Sequence, residues 1–146
     1  MKAITRGLSV LLTVLAVTIS MGMLSPAANA AVNTCGSYAF GGSETGSIQN
    51  GILSVGFCIG SGSIRRINVL YQKTSGSTTN VQLGYQETNA SGVGISPAVY
   101  AAAQNVSSGQ TAERAFTYTE PLGCYHGVML NTATGFQYVT HVWGTC

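Results

Sequence analysis

Apolar and polar positions alternate with period two through most of the chain beyond residue 50. Leu53, Val55, Phe57 and Ile59 alternate with Ser54, Gly56 and Cys58, directly after an Asn50-Gly51 pair. Side chains two apart share one face of an extended strand, and Asn-Gly readily adopts the left-handed dihedrals of a two-residue hairpin turn. A strand is therefore expected on each side of Asn50-Gly51. The next segment, Ile64 to Lys73, is followed by Ser75-Gly76-Ser77-Thr78 and then by Asn80 to Glu87, which reads as a second hairpin. Pairing Tyr71 with Val81, Val69 with Leu83, Ile67 with Tyr85 and Arg65 with Glu87 puts every large apolar side chain except Ile64 and Leu70 on one face. A one-residue slip would scatter them. The same register sets opposite charges at Arg65 and Glu87 across the ladder, so sheet pairing accounts for both charges.

Asn89 to Gly94 reads as a loop. Ser96-Pro97 suits the cap and first turn of a short helix running on to Gln104, while Val99, Tyr100 and Val106 fit a strand entering the Ser107-Ser108-Gly109-Gln110 turn, so residues 97–104 remain helix or strand. Thr111 to Thr119 is a strand with Arg114, Phe116 and Tyr118 on one side, broken by Pro121-Leu122-Gly123. The last hairpin runs from Cys124 to Asn131, turns over Thr132-Ala133-Thr134-Gly135 and returns from Phe136 to Gly144. Its glycine stands where a type I turn with a bulge needs a left-handed residue. Seven or eight short strands with frequent turns argue for an all-β fold, a small antiparallel β-sandwich of immunoglobulin-like architecture, with a small closed barrel as the alternative.

Composition then separates the first 30 residues from the rest. Lys2 and Arg6 precede an apolar run from Leu8 to Ile19, and Ala28-Asn29-Ala30 has the small-residue pattern of a cleavage site. This is the form of a secretory signal peptide, and the run is shorter than the roughly 20 residues that a membrane-spanning helix needs. The expectation is a leader over 1–30 and a single soluble domain over 31–146, exported and carrying no membrane anchor after cleavage. That domain holds Arg65, Arg66, Lys73 and Arg114 against Glu44, Glu87, Glu113 and Glu120, which sum to zero. Four scattered cations cannot neutralise a run of phosphates, so nucleic acid is excluded as a partner.

Cys35, Cys58, Cys124 and Cys146 all lie in the expected exported part. An even number of cysteines in an oxidising compartment reads as two disulfides, and none of the close cysteine pairs of a zinc site is present. Three connectivities are open. Cys35 with Cys58 and Cys124 with Cys146 is favoured because each pair brackets a local hairpin.

Candidate chemistry is sparse. Aspartate is absent from the whole chain, which removes Ser-His-Asp triads and aspartyl dyads and leaves glutamate as the only carboxylate for acid or base work. A glycosidase needs two facing carboxylates, whereas the odd spacing of Glu113 and Glu120 puts them on opposite faces of a strand. No catalytic residues, metal ligands or cofactor are assigned. In the last hairpin, with Asn131 opposite Phe136, His126 falls across from His141, and such neighbours would form a pH-sensitive pair because two adjacent imidazoles resist double protonation. Two satisfied polar side chains on a half-buried strand are the plainer alternative.

Both faces of this hairpin are apolar. Val128, Leu130, Val139 and Trp143 accompany the histidines, while Tyr125, Met129, Phe136, Tyr138 and Val142 occupy the other side. A sandwich strand buries one face, so the second is either covered by a loop or exposed as a binding patch. Tyr125 and Tyr138, with Met129 and Phe136, are the candidates for that patch, since tyrosine tolerates half exposure and suits protein interfaces and sugar stacking. The segment Gly123-Cys124-Tyr125-His126-Gly127-Val128-Met129-Leu130, with Phe136 and Cys146, resembles the C-terminal hairpin of small secreted actinomycete proteins of unassigned function. That resemblance implies export, a β-rich fold and a terminal disulfide, and no catalytic residue. The expectation is a secreted, non-enzymatic binding protein with an extracellular protein partner. A glycan or cell-wall binding module is the alternative, and a small hydrolase working through glutamates is third.

Overall fold

The alternation at Leu53 lies on strand β2 (Gly51–Ile59), which is paired along its length with β1 (Ala39–Ile48) on one side and β3 (Ile64–Lys73) on the other. The computed structural model describes Cys35, residues 39–62, 64–119 and 123–144, and Cys146. The expected leader, its cleavage at Ala31, Glu120 and the Pro121-Leu122 break lie outside these residues. Ile48 pairs with Gly51, so the first hairpin loop is Gln49-Asn50, one residue earlier than expected. Asn50 takes the left-handed conformation with φ 71°, which asparagine tolerates, and this frees Gly51 to join the ladder.

Ten strands among the described residues form two antiparallel sheets, more than the seven or eight expected. The first sheet is ordered β1-β2-β3-β7, with β7 spanning Thr111–Thr119. In the second, β4 (Thr79–Thr88) pairs β8 (Cys124–Asn131) along one edge, and β5 (Val99–Tyr100) with β6 (Gln104–Val106) along the other. Two further strands, β9 (Phe136–Val139) and β10 (Trp143–Gly144), pair the far edge of β8. Residues 97–104 are thus resolved as strand and connection.

β3 and β4 are not a hairpin. They belong to different sheets, and residues 74–78 carry the chain from one to the other. Five extended residues reach up to about 16 Å, enough to cross the roughly 10 Å between packed sheets. Ile67, Val69 and Tyr71 therefore meet Val81 and Leu83 across the core instead of beside them in a ladder. Arg65 pairs Ile59 and Tyr118, and Glu87 pairs Tyr125, so the expected Arg65–Glu87 rung does not form. Crossing satisfies the same period-two phase and buries the apolar faces of both strands against each other, while both edges of β3 are already occupied by β2 and β7.

The core consists of Leu53, Val55, Phe57, Ile67, Val69 and Tyr71 from the first sheet against Val81, Leu83, Val106, Tyr125 and Met129 from the second. Each such side chain contributes about 1.5 to 3 kcal/mol on burial. The sheets approach closely at Gly127, where an added Cβ would stand 2.9 Å from the Cβ of Val55. Disulfides join Cys35 to Cys58 and Cys124 to Cys146, the favoured connectivity.

The terminal hairpin keeps the expected register from Asn131↔Phe136 to Val128↔Val139 and then breaks. Thr140 turns its side chain into the ladder: its hydroxyl accepts from the Gly127 N–H at 3.0 Å and donates to the His141 carbonyl at 2.8 Å. Pairing resumes at Trp143↔Tyr125 with one extra residue on the returning strand. This extra residue moves Trp143 to the Tyr125 side and removes His141 from its place opposite His126.

Candidate functional site

The four residues expected to form an aromatic binding face are divided between core and surface. Tyr125, 4% exposed, and Met129 are in the core, and Tyr138 is half-buried against it. Phe136 stands 58% exposed with its ring edge-on to Tyr138 at 4.7 Å. Tyr125, Met129 and Tyr138 lie on the face that the opposite sheet covers. On the other side, the Tyr100 hydroxyl donates to Gln137 Oε1 at 2.7 Å. Its ring lies over Gly84, where a Cβ would stand 2.9 Å from the Tyr100 ring, and Val128, the partner of Gly84, is fully buried.

The histidines are separated in environment. His141 is exposed, whereas His126 is buried beside Gln86. Gln86 Nε2 donates to the Ser96 carbonyl at 2.9 Å, which leaves Oε1 as acceptor, so His126 Nε2 carries the hydrogen of the 3.1 Å contact between them. Desolvation by burial lowers the His126 pKa. All four cysteines are in disulfides, and no group of three potential metal-ligating side chains occurs among the described residues.

A concave recess lies at the end of the sandwich where β4 and β7 terminate. A cavity of about 390 Å³ opens there between Tyr85, Glu87, Tyr118 and Tyr125, with Pro97 and Val99 along its rim. Tyr85 and Glu87 are in phase with the core residues Val81 and Leu83, so the strand delivers a phenol and a carboxylate into the mouth of the interior. Tyr118 arrives in the same way from β7. The rings form one cluster, with Tyr85 centred 6.1 Å from both Tyr118 and Tyr125, and Tyr118 5.6 Å from Tyr125.

Tyr118 is held far above the usual phenol range, first by burial, then by the neighbouring Tyr125 phenol, to which its hydroxyl donates. Arg65 acts in the opposite direction and does not offset this. Tyr118 therefore lines the recess as a neutral phenol at physiological pH. Glu87 makes no ion pair or side-chain hydrogen bond among the described residues. A shallower depression of about 480 Å³, lined partly by Thr88, Asn89 and Ile95, shares Glu87 with the recess. Exposed Val93, Ile95 and Val99 stand on the segment beside both.

The sequence reading used Tyr85, Glu87 and Tyr118 only as sheet residues. The signal it passed over is a carboxylate in core phase at a strand end, a position where a charge is retained only with a partner or an opening to water.

No family model matches the chain, and no curated protein matches it. Among solved structures it is similar to an X-ray structure of a Northeast Structural Genomics Consortium target, with 9% sequence identity over 70% of this chain and 79% of that one and a TM-score of 0.38.

Proposed function

We propose that the protein is a non-enzymatic extracellular binding module that captures a protein partner by taking a basic side chain into the tyrosine recess. The observation that carries this reading is the uncommitted Glu87 carboxylate beside three tyrosine rings in one cavity. Ring faces attract a cation within about 6 Å, and a carboxylate at the same site completes a pocket for lysine or arginine. The exposed aliphatic side chains of Val93, Ile95 and Val99 give a partner apolar surface to cover around that anchor. Two disulfides are compatible with an extracellular setting. Glycoside hydrolysis uses two carboxylates, and Glu87 is the single one bordering the recess among the described residues, which supports binding over a glutamate-based hydrolase.

The test is retention of immobilised peptides carrying a central lysine, arginine or norleucine. Lysine or arginine peptides are expected to be held, norleucine peptides not, and Glu87→Gln is expected to weaken retention by about tenfold, or roughly 1.4 kcal/mol. A second reading, a sugar ring stacked on Tyr118 with Glu87 as hydrogen-bond acceptor, rests on the half-buried state of that tyrosine. Equal retention of all three peptides, together with binding to insoluble cell-wall polysaccharide that they do not compete, would replace the first reading with the second.

A further inference from the structure

The two disulfides differ in access. Cys35 and Cys58 are 2% and 1% exposed, so both ends of that bridge are inside the fold, and Cys124 at the start of β8 is 2% exposed as well. Cys146 alone of the four is exposed. The chain reaches it from Gly144, which pairs with Cys124 and runs so close to the Gly123 carbonyl that a side chain there would strike it. The second bridge therefore joins a buried residue to one at the surface. A thiol must approach a disulfide sulfur to attack it, and exposed bridges are the labile ones.

Cys124 and Cys146 line the depression of about 480 Å³ together with Glu87, Thr88 and Asn89, a volume in the range of small-molecule sites. Thr88 stands directly across the ladder from Cys124, and residues so paired point to the same face with Cβ atoms about 4.5 to 5.5 Å apart. On its other side Thr88 bridges Gly94, and it is 3% exposed. Its Oγ1 is buried and has no hydrogen-bond partner. Buried hydroxyls are almost always paired, and one left unpaired is costly unless it has a redox or catalytic use.

We infer that the Cys124–Cys146 bridge is a thiol-exchange site that a small aminothiol opens at Cys146. The thiolate of the incoming molecule attacks the Cys146 sulfur and forms a new S–S bond there. The Cys124–Cys146 bond breaks, and its electron pair leaves on Cys124 as a thiolate, which ends with the proton that the attacking thiol gave up. One thiol and one disulfide are consumed and one of each is formed, so no oxidant or further reductant enters. The Thr88 hydroxyl, unpaired while the bridge is closed, is placed to donate to the Cys124 sulfur as charge develops on it. Glu87 Oε1 would lie 3.5 Å from a Cβ on Gly123, the residue before Cys124. Its negative charge at the depression favours a thiol carrying an ammonium over one carrying a carboxylate.

The test is incubation of the folded, disulfide-bonded protein with excess cysteamine, or with 3-mercaptopropionate at equal thiolate concentration, followed by acid quench, alkylation of free thiols and peptide mass mapping. Cysteamine is expected on Cys146 and the alkyl label on Cys124, with Cys35–Cys58 intact and cysteamine the faster reagent. Thr88→Val is expected to slow the opening about tenfold with Tm unchanged or raised, and Thr88→Ser to keep the parent rate. Site, order and thiol preference are read on the parent protein, so they stand whether or not the variants fold. Cysteamine on Cys124 in place of Cys146, Cys35–Cys58 opening first or in step, or no adduct while the protein stays folded overturns the inference. So does equal or faster reaction of 3-mercaptopropionate, or a folded Thr88→Val that opens at the parent rate.

Discussion

Trp143 stacks on Phe57 across the two sheets, with ring centroids 3.8 Å apart and planes within 10°. Trp143 belongs to the short last strand and Phe57 to the middle of the first sheet, so the pair anchors the chain's end to the core. Trp143→Ala is expected to cost about 2 to 3 kcal/mol, less than a fully buried tryptophan because its ring is partly exposed. Denaturant unfolding followed by circular dichroism measures this, since the chain holds a single tryptophan and the variant has lost the fluorescent probe.

Tyr125 and Phe136 should respond in opposite ways. Tyr125→Ala removes a core side chain in contact with Phe57, Tyr85 and Tyr118 and is expected to lower stability by about 3 to 5 kcal/mol. Phe136→Ala removes a largely exposed ring and should change stability by less than about 0.5 kcal/mol. Urea midpoints of the two variants, measured against the parent, decide the assignment.

The disulfides span similar separations, 23 residues for Cys35–Cys58 and 22 for Cys124–Cys146. Loop-closure entropy then predicts nearly equal contributions, about 3 kcal/mol each. Cys58→Ser and Cys124→Ser should lower the unfolding free energy to the same degree. Intact mass before reduction should show no alkylated thiol in the parent.

His126 gives stability a pH dependence of definite sign. Its pKa is lowered by burial, so the unfolded chain takes up a proton at about pH 6.5 while the folded one still resists. Its contribution is whole above that pH, declines as the pH falls towards the folded-state value, and levels off below it. His126→Gln should flatten this portion of the curve. Melting temperatures of parent and variant between neutral and mildly acidic pH test it, and a difference that grows on alkalisation would contradict the sign.

The alternation of side chains determined where the strands lie and which residues face inward. Val81 and Leu83 on β4, Ile67, Val69 and Tyr71 on β3, and Leu53, Val55 and Phe57 on β2 are all buried as their phase required. The turn at residues 132–135 likewise determined the Asn131↔Phe136 register from its own backbone chemistry. Tertiary structure decided which neighbour each strand took. Period two specifies a face and is indifferent to whether the strand across from it lies in the same sheet or in the opposing one, so β3 and β4 could cross where a hairpin was expected. It also decided the end of the last hairpin: one extra residue at Thr140 to Val142 reverses every side chain after it, bringing Trp143 inward and separating the histidines. The candidate site had a signal in the chain, Glu87, a charged residue in core phase at a strand end. Only the packing of two sheets turned that position into a cavity, because a cavity is formed by residues far apart in sequence whose separation no local pattern specifies.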